Sequence, residues 1–476
     1  MTSPAALTSF FDDAARLLGE ANISRDHKNG AVEDREGNQS YGDTFSLTAE
    51  HRPGGAVRPS SVEEVQAVSL WVVSRGKNLG YGGNSPVDKG TVVLDLQRMK
   101  KIIEVNEEYG YAVVEPGVSF FDLFEDIQRR GLNLWPSVPA IGWGSVLGNT
   151  VDRGIGYTPN GEHSQSQCGV VTKIGVHITP APEAYATVEV SVPCEEDLVP
   201  LIGTLSDLMR RSIILNSPSI ANIFRIALTS QIPEVLARIA PYMKPGSCVP
   251  YDVLAEIQAQ QKWGFWKGYF SLYGSVEMLP ALLKTVQRAF APIQGVQIDW
   301  REFPGVLGQA MTTAEIGREG IPHSGVPTLE PLGIVDSRQQ KGGGHICFSP
   351  VIPPSGRELY DWYLTAKQRT IDAKFDMFAD FHVFPRYVIA IELVIYTLEE
   401  EGAVKDLFSK LLHDGSAQGY MEYRTHISYM DKVASKLNFN NSAFNRFTTL
   451  LKDTLDPNGV LSPGKSGIRN SRATHL

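Results

Sequence analysis

The sequence predicts an α+β fold divided between two domains, and three observations carry that expectation. The chain has 476 residues, more than one hydrophobic core serves, since cores stop growing near ~250–300 residues. Short β-prone runs, helical runs and glycine-rich connectors follow one another in mixed order through the first third, not as a regular strand–helix alternation. From about Ala181 the texture changes to longer helical segments interleaved with strongly β-prone runs. A hydrophobic content of 42% and a charged content of 20% are ordinary for a globular chain and exclude global disorder.

Taken in order, Ser9 to Leu18 reads as an amphipathic helix, with Ser9 as N-cap and Phe10, Phe11, Ala14, Leu17 and Leu18 on one face. Asp26 to Asp43 is polar and reads as a surface loop. Ser60-Ser61, with Glu63 and Glu64 three residues on, makes a capping-box start for a short helix from Val62 to Val68. Strands are expected at Leu70–Val73, Thr91–Leu96, Ile102–Val105 and Tyr111–Val114, and Phe121, Leu123, Phe124 and Ile127 return to helical spacing between Phe120 and Arg130.

In the second half, helical segments Glu195–Met209, Pro233–Tyr242 and Met278–Ala291 alternate with strand-like Trp266–Tyr273 and Val296–Trp300. Arg386–Tyr396 is strongly β-prone. Near the end, Ser442 opens a helix carrying Phe444, Phe447, Leu450, Leu451 and Leu455, which Pro457-Asn458-Gly459 stops.

Charge and cysteine usage narrow the function classes. Lys+Arg number 44 against 53 Asp+Glu, a net charge of −9 with no long basic run, which argues against a nucleic-acid partner. Cys168, Cys194, Cys248 and Cys347 stand far apart with no C-x-x-C pair, so neither a metal ribbon nor a disulfide framework is expected. Met1-Thr2-Ser3-Pro4 lacks a basic n-region, and no window reaches the length of a membrane helix. A soluble, cytoplasmic protein follows; Ala473-Thr474-His475-Leu476 is no convincing peroxisomal signal.

Three stretches carry candidate chemistry. Ser74-Arg75-Gly76-Lys77-Asn78-Leu79-Gly80-Tyr81-Gly82-Gly83 joins two apolar runs, and its glycines let successive N–H groups point inward as an anion-binding nest. A ligand-free glycine loop is as common a reading of such a segment. It is not G-x-G-x-x-G and no helix follows, so a Rossmann site is excluded. Gly459 to Ser466 matches the P-loop expression letter for letter, but a helix precedes it and Pro463 removes one of the amides. Nucleotide hydrolysis is rejected. Glu422-Tyr423-Arg424-Thr425-His426 gathers four polar functional groups, a pattern that by itself is more often a solvated turn.

Together these segments resemble the vanillyl-alcohol oxidase and para-cresol methylhydroxylase family of flavoproteins. The matches run in order: S-R-G-K-N-L-G-Y-G-G, V-V-L-D-L-Q-R-M-K-K-I-I-E-V, V-V-E-P-G-V, G-S-V-L-G-N-T-V-D-R-G-I-G-Y-T-P-N-G-E-H, G-V-V-T-K-I-G, E-Y-R-T-H and L-D-P-N-G-V-L-S-P-G-K-S-G, from about His51 to Gly467. The resemblance implies a two-subdomain FAD-binding domain of PCMH type from residues 1–180 and 420–476. Between them, residues 181–419 form an α+β cap with an antiparallel sheet flanked by helices. It implies FAD contacts from Ser74, Arg75, Gly76, Lys77, Asn78, Leu79, Gly80, Gly82 and Gly83, from Ser145, Gly148, Asn149, Gly154 and Tyr157, and from Val170, Val171 and Lys465. It also implies hydride removal from the benzylic carbon of a small para-substituted phenol or aromatic alcohol. Tyr81, Tyr423 and Arg424 fall where the family binds the phenolate, and an always-charged Arg beside two phenol donors favours the ionised ring. A homo-oligomer with no membrane partner is the family's usual state.

Four departures qualify the expectation. Ala390 occupies the position where the family often carries a His or Tyr bonded to the flavin, so the FAD is expected to be non-covalent. Ala140 replaces an acid near the flavin; Glu392, on the same strand face as Ala390, is the replacement base candidate, with a paired structural carboxylate as its plainer reading. After Gly161-Glu162-His163, and again after the helix opened by Ser61, the chain is shorter than the family pattern. Two further readings stay open: a relative acting on another alcohol or a hydroxy acid, and a chain that keeps the pattern with impaired chemistry.

Overall fold

The computed structural model describes residues 4–33, 39–40, 51–68, 72–75, 86–136, 146, 168–313, 326–328, 334, 337–338, 344–423 and 425–472. They divide into two compact units, one of residues 1–179, 327–329 and 424–476, the other of residues 180–326 and 330–423.

The first unit has a separate core for each of its two largest sheets. Its four-stranded sheet runs in the order Ile23–Ser24, Gly55–Val57, Val92–Asp95, Val72–Arg75. The first pair is antiparallel, and the other pairings are parallel. The helix Val62–Ala67 is opened by Ser61, whose hydroxyl accepts from the Glu64 amide, while Glu64 reaches back to the Ser60 amide at 2.6 Å. The N-terminal helix begins at Pro4, not at Ser9, because proline suits a first turn that needs no N–H. It buries Phe11, Ala14 and Leu18 against Val57, Val92 and Leu94, whereas Leu17 falls off that stripe and is exposed. The segment read as a polar loop instead contains a hairpin, Lys28–Glu33 against Gln39–Ser40, with a register shift between Lys28 and Val32. Backbone pairing there needs no apolar alternation, so the sequence carries no strand signal.

The second sheet of this unit is antiparallel, with Tyr111–Val114 between Ile102–Asn106 and Ile174–His177. The helix Phe120–Arg130 lies against it, opened by a reciprocal Ser119–Asp122 capping box and ended by Gly131 at φ 63°, a left-handed position that glycine takes without strain. Phe120, Leu123 and Ile127 join Val105, Ala112, Val114 and Val176 in one core, each such burial contributing about 1.5–3 kcal/mol. The terminal helix spans Phe439–Leu455, with Asn440, Asn441 and Ser442 in left-handed geometry. Phe444, Phe447, Leu450 and Leu455 are exposed, and the buried residues of this helix are Thr448 and Lys452. The helix is anchored through a polar group: the Lys452 ammonium donates to the Asp456 carboxylate at 2.6 Å and to the Leu461 carbonyl at 2.5 Å.

The second unit is built on a nine-stranded sheet whose pairings are all antiparallel. Its long strands are Ala184–Val192, Trp266–Gly274 and Tyr387–Tyr396. The last of these pairs with Phe378–Phe384 along one edge and with both Gly344–Phe348 and Pro350–Ile352 along the other. Ser349 therefore marks a break where one partner strand is replaced by the next. Met421–Glu422 extends the sheet from Pro350–Ile352. The helices Leu198–Arg210, Gly356–Asp372 and Glu401–Ala417 pack on the sheet and one another, burying Leu205, Trp362, Ala366, Leu407 and Leu411.

Candidate active site

The glycine-rich segment begins where the parallel sheet ends. Val57, Asp95 and Arg75 close three parallel strands at a common edge. Open parallel sheets take ligands at this carboxyl edge. Ser74 and Arg75 are the last strand residues; Gly76, Lys77, Asn78, Leu79, Gly80, Tyr81, Gly82 and Gly83 lie outside the described residues, as do Ala140, Ser145, Gly148, Asn149, Gly154, Tyr157 and Arg424. The two shortened joints, at 69–71 and 164–167, lie outside them as well. Val170 and Val171 precede the strand that Ile174 opens in the three-stranded sheet, and Val170 packs against the four-stranded sheet's core.

The C-terminal segment that imitates a P-loop is closed on itself. The amides of Gly464, Lys465, Gly467 and Ile468 bond the carbonyls of Ile468, Ser462, Gly464 and Lys465, and the Ser466 amide meets the Met430 sulfur. These amides are thus spent on internal bonds rather than arranged as a phosphate cradle. The Lys465 side chain is 0% exposed, a cation held inside the first unit. Its charge acts on His51, whose pKa is lowered by burial first and by the charges of His426 and Lys465, against the hydrogen bond to Val87. His51 is thus neutral: Nδ1–H donates to the Val87 carbonyl at 2.9 Å, and Nε2 accepts from the Ser428 hydroxyl at 3.1 Å. An inward-held lysine, and a parallel sheet whose carboxyl edge ends at Arg75 just before the glycine-rich sequence, suit an anionic dinucleotide such as FAD.

The Glu422–His426 cluster is not a solvated turn. Glu422 Oε2 accepts from the Ser349 amide at 2.9 Å, the Tyr423 amide donates to the Ser349 carbonyl at 2.9 Å, and buried His426 accepts at Nδ1 from the Ser428 amide. Glu392 is 2% exposed in the second unit's core, where Trp362 Nε1–H donates to its Oε1 at 2.5 Å. Burial, and then the charge of Glu422, push the Glu392 carboxyl well above the usual range, with the Trp362 bond opposing. Burial does the same to Glu422 against the pull of the Ser349 amide. Ala390, two residues along the strand, is fully buried opposite Phe381. Sequence reasoning reached Glu392, but not Trp362 or Ser349. A tryptophan on a helix and a serine between two strands carry no local signal, because only the register unites them.

Residues 53–178 match the family model described as an FAD binding domain. The 4-cresol dehydrogenase [hydroxylating] flavoprotein subunit of Pseudomonas putida is 30% identical over 478 aligned residues, covering 88% of this chain and 89% of that one. The chain belongs to this flavoprotein family. Solved members superpose over nearly the whole length. The 4-ethylphenol oxidase from Gulosibacter chungangensis, solved with isoeugenol, gives a TM-score of 0.85 at 25% identity, covering 99% of each chain. A p-cresol methylhydroxylase with substrate bound gives 0.83 at 25% identity over 98% of each. The family's α+β architecture and its FAD are thereby those of this protein.

Proposed function

We propose that the protein is an FAD-dependent oxidoreductase that removes hydride from the benzylic carbon of a small para-substituted phenol. The observation that carries this reading is whole-length likeness to relatives named for 4-cresol and 4-ethylphenol, with Tyr423 seated on the Ser349 carbonyl inside the second unit. When bound, FAD supplies the two-electron acceptor, later reoxidised by oxygen or another acceptor. The chain's own part is to hold the substrate as phenolate, since an electron-rich ring releases hydride more readily. Tyr81 and Tyr423 donate to the phenolic oxygen and Arg424 supplies a fixed positive charge. Loss of hydride leaves a neutral quinone methide, to which water adds at the benzylic carbon. The backbone around Ser74–Gly83, with Ser145, Gly148, Asn149, Gly154, Tyr157, Val170 and Val171, holds the cofactor, and Lys465 offsets its charge. Glu392 is the proton acceptor in place of the acid absent at Ala140.

The FAD is held without a covalent bond in this reading, because the methyl group of Ala390 offers no nucleophile. The protein works as a homo-oligomer without nucleic-acid or membrane partners, in the cytoplasm; no helix among the described residues is long and apolar enough to cross a membrane. Acid precipitation of the purified, flavin-loaded protein tests the attachment: a yellow supernatant is expected, and a yellow pellet contradicts it. Turnover of 4-ethylphenol set against a 2-hydroxy acid tests the substrate class, with the phenol expected to react and the hydroxy acid not.

A further inference from the structure

Three buried polar atoms in the second unit have no hydrogen-bond partner among the described residues and surround one break in its sheet: Glu392 Oε2, Glu422 Oε1 and Ser349 Oγ. Register explains their convergence. Glu392 stands opposite Phe348, which precedes Ser349, and Glu422 stands opposite Pro350, which follows it. Each carboxyl is fixed by one oxygen and presents the other: Trp362 Nε1–H holds Glu392 Oε1 at 2.5 Å, and the Ser349 amide holds Glu422 Oε2 at 2.9 Å. Glu392 is 2% exposed and Ser349 1%. The groups facing the two carboxyls are each other, the neutral Trp362 indole and the Ser349 amide; among the described residues no Lys, Arg or His pairs with either.

Buried polar atoms are nearly always bonded, so three orphans at one locus point to a missing occupant. Register sets both carboxyls beside Ser349, and the charge of Glu422 adds to burial in raising Glu392, so ionising both at once is disfavoured. A serine hydroxyl beside them donates to one oxygen and accepts from another. The same Ser349 accepts, through its carbonyl, the Tyr423 amide at 2.9 Å.

We propose that Glu392, Glu422 and Ser349 form a buried proton-holding site that takes up the phenolic proton when substrate binds as phenolate at Tyr423. This rests on the phenol-oxidising reading. In the step, the phenolic O–H bond breaks and its electron pair stays on oxygen. The proton forms a new O–H bond on the ionised member of the pair, which becomes fully protonated; no oxidant or reductant takes part. Burial disfavours the pair's remaining charge, so it stays basic enough to accept.

The test uses flavin-loaded protein in weak buffer with a pH-indicator dye, and 4-hydroxybenzaldehyde as a phenol with no benzylic hydride to lose as an alkyl group would. The phenolate absorption of the bound probe reports ionisation, and the dye reports proton release. Wild type is expected to show phenolate with almost no proton in solution. E422Q and E392Q are expected to release about one proton per probe bound, their apparent affinity then rising about tenfold per pH unit below the probe's own pKa. Phenolate accompanied by about one released proton in wild type overturns this inference and leaves the phenol reading standing. A wild type that leaves the probe neutral or unbound overturns both. Should either variant fail to fold, the wild-type stoichiometry decides by itself.

Discussion

Trp362 donates its indole N–H to Glu392 Oε1 at 2.5 Å inside the second unit, where the indole also meets Phe348 at 5.8 Å and Tyr420 at 6.1 Å between ring centroids. The bond is the one donor holding Glu392 among the described residues. Trp362→Phe removes it and leaves a void in a fully buried position, so a loss of about 2–4 kcal/mol is expected in urea unfolding. A change below about 1 kcal/mol would show that the contact is incidental.

Asp376 and Asp380 give the same unit opposite pH responses. Burial pushes Asp376 up to about 6, against the Val249 amide and Arg338 and with the help of Glu400. Its folded form binds the proton more tightly than the unfolded chain, so its contribution is full below about 3.8 and is lost as pH rises through about 6. Burial also works upward on Asp380, but Arg225 and His382, with Ser219, outweigh it and lower the carboxyl. Its contribution is present above about 3.8 and is lost as pH falls through the lowered value. Asp376→Asn is expected to gain about 1–3 kcal/mol relative to wild type between pH 4 and pH 7. Asp380→Asn is expected to cost most at neutral pH and least in acid. Urea midpoints across that range check both signs.

The Lys452–Asp456 pair anchors the C-terminal segment, for Asp456 also accepts the Val460 amide at 3.0 Å and the Leu461 amide at 2.8 Å. Asp456→Ala strands a buried ammonium and is expected to cost about 3–5 kcal/mol. Thermal unfolding measures the loss. Because this anchor carries Lys465, bound flavin per chain is expected to fall with it.

Ser119→Ala removes the cap of the helix Phe120–Arg130 and is expected to cost about 1 kcal/mol. Leu123→Ala, on the buried face of the same helix, is expected to cost about 2–5 kcal/mol. The ranking of the two in chemical denaturation is the check, since the core term must exceed the cap.

Tyr423→Phe keeps the ring and removes the hydroxyl that the proposed function assigns to the substrate oxygen. Flavin content is expected to stay at wild-type level while the rate of flavin reduction by 4-ethylphenol falls about 100-fold. Equal reduction rates would take Tyr423 out of the substrate site.

How much of this was legible in the sequence depended on what carried the signal. Tyr111–Val114, Phe120–Arg130 and Tyr387–Tyr396 were readable because one face or both faces are buried and the apolar spacing records it. The hairpin from Lys28 was not, since its residues show no apolar alternation to record the backbone pairing. The terminal helix misled in another way: Phe444, Phe447 and Leu450 have core-like spacing but are exposed, while Lys452 is buried because Asp456 and the Leu461 carbonyl satisfy it. The segment resemblance pointed to Tyr423 and Lys465 and strand alternation to Glu392 as the residues proposed for the site. Ser349, Trp362 and the orphaned oxygen of Glu422 could not be read, because their relation exists only once the strands Gly344–Phe348, Pro350–Ile352 and Tyr387–Tyr396 are in register.

The central claim is that a para-substituted phenol, ionised at its hydroxyl, is the hydride donor. Anaerobic mixing of the flavin-loaded protein with 4-ethylphenol, and in parallel with its O-methyl ether, tests it most directly. The phenol is expected to bleach the flavin's visible absorption and the ether, which cannot ionise, to leave it unchanged. A flavin untouched by the phenol, or bleached equally by both, would contradict the account.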